Sequence, residues 1–339
     1  MDFGEVALAQ AEGAILAHSV QVAGRRLRKG LVLGADEIAQ LAATGLSHVI
    51  VARPGPDDVP EDAAADRLAR ALVPDEAAAN LTRSAPFTGR VNLNAACPGI
   101  VSVDVAAIHA LNRVHPAITL ATLAPHTRVT PGLLTGTVKI IAYAVPEAAL
   151  AQACAQARGA IRVLPVTRPT AALILTEVPE QDAKLARKGR QAIEGRLRAL
   201  GMDLVACETV AHETGAIAAA LARTPGDMLM ILTGSATSDL HDVAPEGLRA
   251  AGGRVDRFGM PVDPGNLLFL GALGDRPVIG LPGCARSPAL NGADWVLERL
   301  ACGVAVTSDD IAAMGVGGLL KEIPIRPQAR EPRMEKPGS

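Results

Sequence analysis

The stretch Asp227-Met228-Leu229-Met230-Ile231-Leu232-Thr233-Gly234-Ser235-Ala236-Thr237-Ser238-Asp239-Leu240-His241-Asp242 sets the fold class. Its first part is an almost unbroken apolar run, the pattern of a parallel strand covered on both faces. Its second part is small and polar, and Val243-Ala244-Pro245-Glu246 then opens a helix. Outward from it, strands are expected at 171–178 and 203–208, with helices at 184–200, closed by Gly201, and at 214–223. On the other side come extended segments at 254–260, 267–270 and 277–281, then a helix through Trp295 to Cys302. Strand and helix in regular alternation place helices on both faces of one sheet. The expectation is an α/β fold, with a doubly wound, mostly parallel sheet domain over residues 165–305. An extended tail is expected at 306–339, where Pro, Arg and Lys make 324–339 a loose end.

The N-terminal half reads differently. An extended 27–33, a helix capped by Asp36 and ended by Gly45, a strand at 47–53 and an alanine-rich helix at 63–73 make a small α/β unit over 1–80. Short β-type segments at 89–93, 99–103, 117–123 and 136–143 follow, with a helix inside 102–114 and another over 147–159, so 81–160 reads as a mixed α+β module.

Composition narrows the function classes. The 339 residues carry 33 Lys plus Arg against 35 Asp plus Glu, a net charge of −2, which argues against a nucleic-acid footprint. Phe 4, Trp 1 and Tyr 1 are too few for a base-stacking platform; Phe258, Phe269, Trp295 and Phe87 are expected to fix loops instead. No apolar run approaches the roughly 18 residues of a membrane span, and the start Met1-Asp2-Phe3-Gly4-Glu5 is acidic where a signal peptide is basic. The expectation is a cytoplasmic protein with no membrane or nucleic-acid partner. The scattered Cys97, Cys154, Cys207, Cys284 and Cys302 contain no Cys-x-x-Cys pair, and neither a disulfide framework nor a zinc site is indicated.

Ligands of open α/β sheets bind outside the carboxyl ends of the strands. There, Thr233, Gly234, Ser235, Ala236 and Thr237 form a small-residue turn whose backbone N–H groups suit an oxyanion, helped by the helix start at Pro245 and Glu246; a plain tight turn is the competing reading. Asp239 and Asp242 beside it either hold Mg²⁺ with a substrate phosphate or serve as a solvated residue and a helix cap. Pro282-Gly283-Cys284-Ala285-Arg286-Ser287 after the next apolar strand offers Arg286 and Ser287 to a phosphate, or is only a Pro/Gly turn with an N-cap; Cys284 reads as a structural thiol. Asp263-Pro264-Gly265 is a rigid connection, a ligand wall or a turn. His212-Glu213 lacks the second His of a zinc-protease motif.

The ordered set from 227 to 290 resembles the molybdopterin-binding domain of molybdopterin adenylyltransferases and molybdenumtransferases. The matching pieces are the apolar strand with Thr233-Gly234-Ser235, the Asp242-Val243-Ala244-Pro245-Glu246 helix start, Asp263-Pro264-Gly265 and Leu281-Pro282-Gly283. Nearly the whole chain looks like the front module that some bacterial proteins carry ahead of a molybdenum-cofactor nucleotidyltransferase domain. The resemblance implies a site for molybdopterin or its nucleotide form, with Mg²⁺ and molybdate nearby. Thr233, Gly234 and Ser235 would form the cradle, Asp239 and Asp242 the catalytic acidic pair, and Pro264, Gly265, Pro282 and Gly283 further walls. It also implies a homo-oligomer. The implied role is a transferase that holds molybdopterin for molybdate insertion or nucleotidyl transfer. The alternatives are a non-catalytic carrier serving a nucleotidyltransferase or molybdoenzyme, and an α/β domain for another phosphorylated metabolite. The chain departs from the family at Ser235, at Cys284-Ala285, and around Arg187-Lys188-Gly189, where an acid and an Asn are usual.

Overall fold

The computed structural model describes residues 1–179 and 183–320; the expected loose end at 324–339 lies outside them. The chain divides into two units, 1–165 and 166–339.

The first unit holds two cores. Around one, Asp2–Ala7 and Ile15–Leu16 pair antiparallel with His48–Arg53, and the helix Ala35–Ala42 packs Leu41 against Leu16, Leu33 and Val51. Around the other, the helix Glu61–Leu72 presents Ala64, Ala65, Leu68, Ala69 and Leu72, all fully buried, to an antiparallel sheet of Leu81–Arg83, Arg90–Ala95, Leu134–Ile140 and Ile118–Thr122. The expected break at residue 80 therefore has no counterpart in the packing. The helix at 61–72 shares its core with residues 81–163 because its small-residue face fits closely against that sheet.

The second unit is a mixed α/β domain. Its elements in chain order are β1 (Thr170–Glu177), α1 (Ala183–Ala199), β2 (Asp203–Ala211), α2 (Thr214–Arg223), β3 (Met228–Leu232), α3 (Val243–Ala250), β4 (Arg254–Phe258), β5 (Phe269–Leu273), β6 (Arg276–Leu281), α4 (Gly292–Ala301) and α5 (Ser308–Ala313). The sheet order is β2-β1-β3-β6-β5-β4, parallel across the first four strands and antiparallel at β5 and β4. Alternation along β3 decides what covers each face. Met228, Met230 and Leu232 join a core with Ile193 and Leu197 of α1 and Val296 and Leu297 of α4, while Leu229 and Ile231 join another with Ile217 of α2 and Leu248 of α3. Phe269 pairs with Gly280 across β5 and β6, and a Cβ on Gly280 would lie 1.9 Å from the phenyl ring.

Where an extended tail was expected from 306, the chain instead forms α5. Thr307 accepts the Asp310 N–H at 3.1 Å, and Ile311 is buried, so a cap and one apolar residue suffice to dock a short helix. Among the described residues, no helix is long and apolar enough to cross a membrane.

Candidate functional site

The carboxyl ends of β1, β3 and β6 lie at one end of the sheet because these strands are parallel. The pairing of Phe269 with Gly280 brings the start of β5, and with it the 259–268 connection, to the same end.

The turn after β3 is held from its neighbours. The Gly234 N–H donates to Thr176 Oγ1 at 2.9 Å, and Thr176 Oγ1 shares a 2.8 Å hydrogen bond with His212 Nδ1. Thr176 is buried at the end of β1, so its hydroxyl needs these partners. The expected use of the Gly234 N–H as an anion donor is thereby corrected: a buried hydroxyl already takes it. Ser235 and Ala236 are exposed, and their amides have no hydrogen-bond partner among the described residues; Thr233 and Thr237 are buried.

Asp242 caps α3. One carboxylate oxygen accepts the Val243 N–H at 2.7 Å, the other the Ser238 N–H at 2.9 Å. Burial pushes its carboxyl up, but these N–H groups and nearby His212 outweigh burial and hold it below the usual carboxylate range. Asp239 accepts the His241 N–H at 2.8 Å. Asp239 and Asp242, the pair expected to hold Mg²⁺, are each tied into a turn by these N–H groups. Pro245 is buried in the α3 packing, and Glu246 pairs with His241 and with Arg249, at 3.0 and 2.6 Å. Both are thus occupied in shaping the helix start.

The loop after β6 turns through a short 3-10 helix, Gly283–Arg286. Two arginines fix it. Arg196 of α1 makes a buried ion pair with Asp294 of α4 at 2.6 Å and donates to the carbonyls of Ala285, Ser287 and Ala289 at 2.9, 2.7 and 3.1 Å. Arg286 reaches from this loop to the other, where its Nη2 donates to the Thr233 carbonyl at 2.5 Å. Its Nε is buried without a partner, and burial lowers the basicity of the group. Gly189 of α1 lies over this contact; a Cβ there would stand 2.7 Å from Leu232 Cδ2 and 3.5 Å from Arg286 Cγ. The missing side chain at 189 thus makes room for Leu232, with Arg286 at ordinary contact distance.

Ser287 Oγ accepts the Ala289 N–H at 3.2 Å, an internal turn contact. Pro282 is buried and Gly283 exposed. Pro264 and Gly265 meet the start of α4 instead of the β3 turn: the Gly292 N–H donates to the Pro264 carbonyl at 2.8 Å, and a Cβ on Gly265 would lie 2.8 Å from that nitrogen. Of the expected loop-fixing aromatics, Phe269 is buried, whereas Phe87 is 75% exposed and closes the 87–90 turn by backbone hydrogen bonds with Arg90 at 3.0 and 3.1 Å, not by its ring. Sequence reading missed Thr176, Arg196 and Asp294 and set His212 aside. Each sits at a strand end or on a helix face where no short motif marks it.

Residues 5–53 match a family described as a domain of unknown function, DUF8806. No curated protein matches the chain. Among solved structures, it is similar to the molybdopterin biosynthesis MoeA protein from Pyrococcus horikosii, at 14% identity and a TM-score of 0.31, covering 89% of this chain and 75% of that one.

Proposed function

We propose that the second unit binds molybdopterin, or its nucleotide-activated form, and that the chain serves molybdenum-cofactor biosynthesis. The observation that carries this reading is the junction of the two loops bearing the family-like motifs. Thr233-Gly234-Ser235 and Leu281-Pro282-Gly283 are joined at the carboxyl end of a parallel sheet by the Arg286–Thr233 hydrogen bond. Two loops held in fixed register orient a bound phosphate ester, and positioning is what molybdate insertion or nucleotidyl transfer requires of a protein.

Within this reading, Arg286, the exposed turn Ser235-Ala236 and Gly283 face the ligand, while Thr176, His212, Arg196 and Asp294 hold them in place. In an enzyme, Asp239 and Asp242 would hold Mg²⁺; both also accept N–H groups of their own turns. That engagement favours a second reading, a carrier that holds the cofactor and passes it to a nucleotidyltransferase or molybdoenzyme. A homo-oligomer belongs to the same proposal.

Calorimetric titration with molybdopterin and with its adenylylated form tests the proposal: binding of either supports it, and binding of neither overturns it. Turnover with Mg²⁺ and ATP, or with Mg²⁺ and molybdate, then separates enzyme from carrier. In the enzyme case Asp242→Ala abolishes turnover; in the carrier case there is none, and binding only weakens.

A further inference from the structure

We propose that Arg286, rather than a backbone cradle, is the seat of the ligand's anionic group, and that the group is a phosphate. The inference rests on the small-molecule site proposed above and specifies what that site grips.

Three observations carry it. First, the guanidinium lies between the β3 and β6 loops, and among the described residues it meets no carboxylate: its one hydrogen bond there goes to the Thr233 carbonyl, and its Nε is buried with no acceptor. A half-buried cation in that state is costly unless a bound anion supplies the countercharge. Second, the backbone has few donors left to bind an anion by itself. The N–H groups of Gly234, Ser238, His241, Asp242 and Val243 are all engaged within the protein, and Pro245 has none. Third, the guanidinium is approachable at one nitrogen. Nη1 is not among the buried unpartnered atoms, makes no hydrogen bond among the described residues, and lies beside exposed Gly283, where a Cβ would stand 3.6 Å away. The exposed amides of Ser235 and Ala236 follow Thr233 directly in the chain. An arginine with further N–H donors close by matches the several oxygens of a phosphate better than the two of a carboxylate.

The test uses the full chain, with calorimetry and thermal unfolding in inorganic phosphate and, at matched ionic strength, in acetate. Phosphate is expected to bind and to raise the melting temperature, with acetate at least tenfold weaker. Arg286→Lys should weaken phosphate at least tenfold, and Arg286→Met should abolish it without lowering the melting temperature of the phosphate-free protein. A residue that only braces two loops would lower that temperature when replaced. Phosphate binding retained in Arg286→Met, a lowered melting temperature of that variant, or equal binding of acetate would each overturn the inference. The two readings fail separately. Phosphate binding through Arg286 without molybdopterin binding removes the molybdopterin reading alone, and molybdopterin binding undiminished in Arg286→Met removes the phosphate seat alone.

Discussion

Two arginines grip the same loop after β6, and their surroundings could hardly differ more. Arg196 is 7% exposed, pairs with Asp294 and donates to three loop carbonyls. Among the described residues Arg286 has one carbonyl, an orphaned Nε and no acidic partner. A buried charge whose donors are all matched is part of the scaffold, whereas one left short of acceptors is stabilised when an anion binds. On the phosphate-seat proposal, the α1–α4 side of the loop is architecture and the side facing the β3 turn is recognition.

The sharpest way to break this contrast is to strip Arg196 of its partner. Asp294→Ala leaves a buried guanidinium uncompensated and should cost about 3–5 kcal/mol in urea unfolding; a loss below 1 kcal/mol would put the two arginines in one class. Gly189→Val crowds Leu232 and Arg286 together and should cost about 1–3 kcal/mol, with phosphate affinity falling as the guanidinium is displaced. Asp242→Ala removes the α3 cap and should cost about 1 kcal/mol at neutral pH. The Asp242 carboxyl titrates below its ordinary value in the folded protein, so its contribution is present above the unfolded value of about 3.9 and disappears as pH falls through the lower folded one. The difference between the wild type and Asp242→Asn, followed by unfolding at stepped pH, should therefore shrink below about pH 4. Arg286→Met should have the smallest effect, leaving stability unchanged or raised by up to about 1 kcal/mol, since relief of desolvation offsets the loss of one hydrogen bond.

How much of this was legible in the sequence follows from how far apart the interacting residues lie. The second unit was readable because β3 is continuously apolar and its neighbours alternate with helices of ordinary length; the expected helix at 214–223 coincides with Thr214–Arg223. The first unit was readable only in pieces. His48–Arg53 takes partners at both Asp2–Ala7 and Ile15–Leu16, and Gly99–Val103 pairs with Ile161–Pro165, long-range choices that periodicity does not encode. In the site, Arg286 stood out because it follows a Pro-Gly turn. Thr176 and Arg196 did not, since a Thr at a strand end and an Arg on a helix face are common. Their importance comes from Gly234, 58 residues beyond Thr176, and Asp294, 98 beyond Arg196.

The contact of Phe269 with Gly280 also bears on how this chain can change over time. Phe269 is among the largest fully buried side chains, and its ring occupies the place of the side chain that Gly280 lacks. Any residue larger than glycine at 280 demands a smaller one at 269, and a smaller residue at 269 alone leaves a void beneath the strand that leads into the Arg286 loop. The two positions are thus inherited as one: a sequence that alters either without the other gives up the shape of that end of the sheet.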